Sequence, residues 1–167
     1  MPHIDQTVIV TTWPHKKGLV DFDRDFLICD EDNNILIKGT SKWCVIDSIT
    51  RRFCKPDNVN YIGEYCEDIN YTEKFTKTSI VEKTENARLN YTVSYYDLDH
   101  NQHMNNTNYA ILAINSLDNK NVQHFQINFI NECKLNDKIE VYHMADEQGE
   151  HLTGYSGDKI IFSTLSR

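Results

Sequence analysis

A chain of 167 residues, 40% hydrophobic and 25% charged, is long enough for one ordinary domain or two very small ones, and it can bury a core. Its formal charge of −8 is uneven: residues 1–55 hold eight Lys/Arg and eight Asp/Glu, residues 56–167 hold nine and seventeen, and an acidic surplus of this kind repels nucleic acid. No run approaches the roughly 20 apolar residues of a membrane span, and Met1-Pro2-His3-Ile4-Asp5 does not open like a signal peptide, so the expected compartment is the cytosol.

Residues 7–12 (TVIVTT) are β-branched throughout and predict a strand, closed by Trp13-Pro14 and Lys16-Lys17-Gly18. A second strand is expected from about Val20 to Cys29 and a third from Ile35 to Ile46, joined by the polar turn Asp30-Glu31-Asp32-Asn33-Asn34. The first fifty residues therefore read as an antiparallel meander without a helix. Small basic clusters lie in and after it: Lys16-Lys17, Lys38 with Lys42, and Arg51-Arg52 with Lys55.

Residues 51–87 read as a connecting segment rich in Asn, Glu, Asp and Lys, with one further strand near Ser79–Lys83. Tyr61, Tyr65, Tyr71 and Phe75 are its candidate anchors. From Arg88 the pattern sharpens. Leu89, Tyr91, Val93 and Tyr95 alternate with Asn90, Thr92, Ser94 and Tyr96, the period of a strand. A polar turn covers 97–103, and Asn105 or Asn106 caps a helix expected to end near Leu117. Tyr109 to Ile114 is apolar without a break, which predicts a helix buried on most sides. Strands are expected at about 122–133, 138–145, 150–156 and 159–165. A strand, a buried helix and four antiparallel strands make the α+β hotdog architecture. Residues 88–167 form one complete unit on this reading. Residues 1–50 form a partial unit, strands only, with a sheet face that no helix covers.

The five cysteines are odd in number and contain no CxxC spacing, and no HExxH occurs. Reduced thiols are expected, with no disulfide framework, no metal site and no cofactor.

The stretch Asp97-Leu98-Asp99-His100-Asn101-Gln102-His103-Met104-Asn105-Asn106-Thr107-Asn108-Tyr109 closely resembles the signature of acyl-acyl carrier protein thioesterases. Thr12-Trp13-Pro14, Arg24-Asp25-Phe26, Thr40-Ser41-Lys42-Trp43, Ile46-Asp47 and Thr50-Arg51-Arg52 are similar to that family's first hotdog, in the right order. Asn131-Glu132-Cys133 is similar to the segment that supplies further site residues. Family members carry two complete hotdog units in tandem. This chain resembles them from a point after the first strand and central helix.

A thioester needs a placed water and a polarised carbonyl. Asp99 is the natural carboxylate for general base or nucleophile, in a turn that precedes a helix. Backbone N–H groups around Met104 to Asn106 are placed to polarise an oxygen. Asn101 can hold a water or a substrate oxygen, and His103 can orient a partner or carry a proton. The resemblance implies that Asp99, Asn101, His103 and Glu132 are the catalytic set, with Cys133 their neighbour. Nothing in the spacing alone brings Glu132 to the turn. The blander readings are a turn-capping Asp99, an Asx-turn Asn101, a satisfied buried His103, an exposed strand acid at Glu132 and a buried thiol at Cys133. Asp97 reads as an ordering acid and His100 as a surface residue.

The function expected from the resemblance is hydrolysis of fatty acyl-acyl carrier protein to free fatty acid, with the acyl carrier protein as partner docking on the lysine-bearing first half. The alternative is a non-catalytic acyl-binding or assembly module, an N-terminally truncated product that retains the motif. A third reading is a hotdog thioesterase acting on CoA substrates. An uncovered apolar sheet face also predicts a homodimer.

Overall fold

The computed structural model describes every residue except 1, 20, 48, 51, 56–64, 73, 74 and 76. The chain divides into two compact units, Met1–Phe75 and Thr76–Arg167. The division falls inside the expected connecting segment. The expected start of the second strand at Val20, and Arg51 and Tyr61, lie outside the described residues.

The first unit is a four-stranded antiparallel sheet in the order β1 (Ile9–Pro14), β2 (Asp21–Cys29), β3 (Ile35–Ile46) and β4 (Phe53–Cys54). Its register separates two faces. Phe22 lies opposite Trp43, Phe26 opposite Gly39, and Ile28 opposite both Val10 and Ile37, which makes one face mainly apolar, interrupted by Arg24 opposite Ser41. Asp23 lies opposite Lys42 and Asp25 opposite Thr40 and Trp13 on the other face. The polar face is held under residues 66–72 and Phe75. Asn70 N–H donates to Asp25 Oδ2 at 2.6 Å, Trp13 Nε1 to the Asp68 carbonyl at 2.8 Å, and Lys42 Nζ stands 5.7 Å from the Phe75 ring centre. Among the described residues of this unit only Asp25 is fully buried, and Val10, Ile37 and Trp43 on the apolar face are exposed.

Asp25 tolerates burial because its charge is fully engaged. Thr40 Oγ1 donates at 2.6 Å, His15 Nε2 lies 3.0 Å away, and Asn70 N–H supplies the third contact. Burial pushes its carboxyl up, but these hydrogen bonds together hold it below the usual carboxylate range.

The second unit is a five-stranded antiparallel sheet with one helix. Its order is β5 (Leu89–Thr92), β7 (Lys138–Asp146), β8 (Gly149–Ser156), β9 (Lys159–Ser166) and β6 (Phe125–Phe129). The helix α1 (Asn106–Ser116) packs on it, and the arrangement is the hotdog fold. The core contains Tyr109, Leu112, Ala113 and Leu117 from the helix segment against Ile139, Val141, Leu152 and Phe162 from the sheet.

Two expectations change here. The helix buries Tyr109, Leu112, Ala113 and Ser116, one face at helical spacing, while Ile111 and Ile114 are exposed. An unbroken apolar run hid this one-sided burial. Residues Ser79–Lys83 form no strand, because Val81 N–H donates to Thr153 Oγ1 at 2.8 Å instead of entering a ladder. The segment still belongs to the second unit, where Val81 packs with Tyr142 and Tyr155 on the sheet face turned away from α1.

Candidate active site

The helix start fixes the polar turn. Asn105 caps α1, its side chain accepting Thr107 N–H at 3.0 Å and Thr107 Oγ1 at 2.7 Å. At the other end Lys120 Nζ donates to the carbonyls of Ile114, Asn115 and Leu117 at 2.7, 3.0 and 2.6 Å, satisfying groups the helix leaves unpaired.

Asp97 is buried and anchors the turn from behind. Its Oδ2 accepts Tyr91 Oη at 2.7 Å, Ser94 N–H at 2.6 Å and Ser94 Oγ at 2.8 Å. Its carbonyl accepts Asn105 N–H at 2.8 Å and Asn108 Nδ2 at 3.1 Å. Burial pushes the carboxyl up, and the hydrogen bonds from Ser94 and Tyr91 overcome this and hold it low.

The turn itself is tightly curled. Asp99 N–H donates to the His103 carbonyl at 2.8 Å, and Gln102 N–H to the Asp99 carbonyl at 3.0 Å, with Gln102 at φ 63°. Asp99 Oδ1 accepts Asn101 N–H at 2.8 Å and His103 N–H at 3.3 Å, while Asn101 Nδ2 reaches Oδ2 at 3.5 Å. Burial pushes the Asp99 carboxyl up, but the hydrogen bonds from His103 and Asn101 leave it below the usual range. The curl brings Asp99, Asn101 and His103 together without an extended backbone.

Glu132 reaches His103. His103 Nε2 lies 3.4 Å from Glu132 Oε2, across 29 residues of sequence. Glu132 sits in the loop after β6 and not in a strand, since the ladder ends at Phe129. Met104 N–H donates to the Cys133 carbonyl at 2.9 Å, and Cys133 N–H donates to Tyr109 Oη at 2.9 Å. Cys133 is fully buried, and burial pushes its thiol up to about 11, so it stays protonated at neutral pH and is a poor nucleophile. His100 is exposed.

The backbone donors divide as well. Met104 and Asn105 N–H groups are committed to the Cys133 and Asp97 carbonyls, which leaves Asn106, at the first position of the helix, as the member of the expected set without a described partner. Spacing did not single out Tyr91 and Tyr109. Their signal is weak, an aromatic in an alternating strand and another in an apolar run.

One further cluster lies apart from this turn in the sequence. His143 Nε2 is 2.9 Å from Glu150 Oε2 and 4.0 Å from Asp118 Oδ2, a grouping whose chemistry could hold a metal ion. Both Glu150 oxygens already accept backbone N–H groups, from Asp118 at 2.7 Å and Asn119 at 2.8 Å, and Arg88 pairs with Asp118. The cluster therefore clamps the segment after α1. All five cysteines are free. Among the described residues no helix is long and apolar enough to cross a membrane.

Residues 80–160 match the family model of the acyl-ACP thioesterase C-terminal domain. The chain resembles the acyl-ACP thioesterases, and its second unit is the part that the family model matches. It is 28% identical over 178 residues to acyl-[acyl-carrier-protein] hydrolase FATB3, chloroplastic, of Cuphea viscosissima, covering 99% of this chain and 42% of that protein. It is 30% identical over 160 residues to the chloroplastic palmitoyl-acyl carrier protein thioesterase of Cuphea hookeriana, covering 89% and 39%. The chain thus spans less than half the length of these relatives. Among solved structures, an acyl-ACP thioesterase from Bacteroides thetaiotaomicron superposes with a TM-score of 0.80 at 18% identity, over 95% of this chain and 67% of that one. The 12:0-ACP thioesterase from Umbellularia californica gives 0.79 at 22%, over 99% and 69%. At these identities the structures establish the fold.

Proposed function

We propose that this chain hydrolyses the thioester of a fatty acyl-acyl carrier protein, releasing the free fatty acid. The observation that carries the reading is the His103–Glu132 pair at 3.4 Å, beside the Asp99 turn at the start of a central helix. An imidazole oriented by a carboxylate is a standard arrangement for moving a proton to and from water or a leaving thiol. Asp99 has one oxygen saturated by backbone N–H groups and a lowered proton affinity, which makes it a weak base. Its Oδ2, met only by the long Asn101 contact, is placed to hold the attacking water. In this reading His103 takes the water's proton as the oxygen adds to the thioester carbon. The C–S bond then breaks, and the same proton passes to the departing thiolate. Asn101 and the Asn106 N–H face the carbonyl oxygen.

The partner is an acidic acyl carrier protein. Lys42 is spent on Asp21 and Asp23 at 2.8 and 3.0 Å, so docking falls to Lys16, Lys38 and Arg52. The exposed apolar residues Val10, Ile37 and Trp43 of the first unit support a homodimer. Those same residues favour the second reading, an acyl-binding or assembly module, because the described part of that unit buries no apolar side chain.

Hydrolysis of a panel of saturated acyl-carrier proteins separates the two. The chain should turn over at least one substrate, and Asp99→Ala, His103→Ala and Glu132→Ala should each lower the rate by about 10²-fold or more. Binding of acyl-carrier protein with turnover no higher than the Asp99→Ala background would establish the module instead.

A further inference from the structure

Glu132 is half exposed and lies in a loop, yet its carboxylate meets His103. Something must set its reach. Both ends of that loop are tied to strands or their neighbours: Asn131 N–H donates to the Ile161 carbonyl at 3.1 Å, and Val93 N–H donates to the Asp137 carbonyl at 2.9 Å. Between them, Cys133 is tied from two sides. Met104 N–H takes its carbonyl, and Tyr109 Oη takes its N–H.

The two tied residues are the immediate successors of the ion pair. His103 precedes Met104, and Glu132 precedes Cys133. The Cys133 N–H belongs to the peptide that leaves Glu132, so its direction sets where the Glu132 side chain departs from the backbone. Tyr109 is well placed to fix that direction. It is 2% exposed, it sits in the first turns of α1, and its ring is wedged between Phe129 and Phe162 at 6.0 Å from each. A ring held on both sides presents its oxygen in one place. Without that oxygen the Cys133 N–H would be a buried donor with no acceptor, and the loop would turn to reach water.

We propose that Tyr109 is a positioning residue whose phenol oxygen, by accepting the Cys133 N–H, aims Glu132 at His103. The reasoning rests on the proposed thioesterase reading only for its effect on rate; the geometry it predicts stands apart. Cys133 then matters for its backbone, and its thiol serves as a small buried group beside the phenol.

The test is Tyr109→Phe in the whole chain, which keeps the ring and deletes the oxygen. Two readouts are followed. The first is the His103 imidazole titration by ¹⁵N NMR, with Glu132→Gln as the reference for a lost pair. Tyr109→Phe should move the His103 titration in the same direction as Glu132→Gln and by at least half as much, and the double variant should add nothing further. The second is kinetic. On any acyl-carrier protein the chain hydrolyses, kcat should fall about tenfold while KM stays within twofold, with the pH profile shifted as the titration is. Amide exchange in the unaltered chain provides a check that needs no variant to fold: the Cys133 N–H should be protected to the level of Val141 in the sheet core. A His103 titration in Tyr109→Phe that matches the unaltered chain overturns the proposal, and so does a fast-exchanging Cys133 amide. If no substrate is hydrolysed, the thioesterase reading falls and the NMR arms still decide the role of Tyr109.

Discussion

Asp97 and Asp99 stand two residues apart in the same turn and do different work, and their oxygens show why. Asp97 is buried and gives one oxygen to three donors, so it acts as a fixed acceptor that shapes the loop. Asp99 has one oxygen met only by the Asn101 amide at 3.5 Å. Asp97→Ala leaves the Ser94 N–H and the half-buried Tyr91 hydroxyl without their acceptor, and should cost about 2–3 kcal/mol in denaturant unfolding. The sign of its pH dependence follows from the lowered carboxyl. A carboxyl with a depressed folded value contributes stability above its unfolded value of about 4, and that contribution is lost as pH falls through the folded value. The unaltered chain should therefore lose stability as pH falls below about 4, and Asp97→Ala should lose less over the same range. Equal losses in the two proteins would assign the acid sensitivity to other carboxylates, Asp25 and Glu150 first.

Among the elements, the pairing of β8 with β9 carries the tightest constraint. Gly154 lies opposite Phe162, and a Cβ on it would stand 2.3 Å from the Phe162 ring. That ring cannot retreat, since it is fully buried and packed edge-on against Tyr109. Gly154→Ala should destabilise the chain by about 1–3 kcal/mol through overpacking, measured by thermal or urea unfolding. A melt unchanged from the parent would show that the ring shifts freely. The sequence announced these strands through alternation and turn residues, and it announced α1 through Asn105. It misplaced what alternation cannot encode. Val81 gives its N–H to a threonine hydroxyl, so a β-branched stretch stays irregular. Phe129 ends β6 because Ile130 and Asn131 both turn to the Ile161 carbonyl, which puts Glu132 in a loop. The turn residues Asp99, Asn101 and His103 were legible from local spacing and family resemblance, while the Tyr109 contact depends on a fold that joins residues 24 apart.

At the scale of the molecule the two units differ in how much they bury. The second has a continuous core from Val93 to Phe162, with Ile139, Val141 and Leu152 fully buried. The described part of the first has a single fully buried residue, and that is a carboxylate. Hydrophobic burial scales with area at about 25 cal/mol per Å², and exposed apolar side chains contribute little of it. The ladders of both units run the length of their strands with one register shift each, at Ile28/Cys29 and at Gly154/Tyr155, so hydrogen bonding alone does not distinguish them. Local opening should therefore be cheaper in the first unit. Native-state hydrogen exchange on the whole chain should show β7, β8 and β9 amides exchanging only through global unfolding, with β1 to β3 amides exchanging at least tenfold faster and with weaker dependence on denaturant. A dimer that covers Val10, Ile37 and Trp43 would narrow the gap as protein concentration rises, because association stabilises the surface it hides. Protection of β1 to β3 equal to that of β7 to β9 at low concentration would mean that the first unit draws stability from a source other than its own burial.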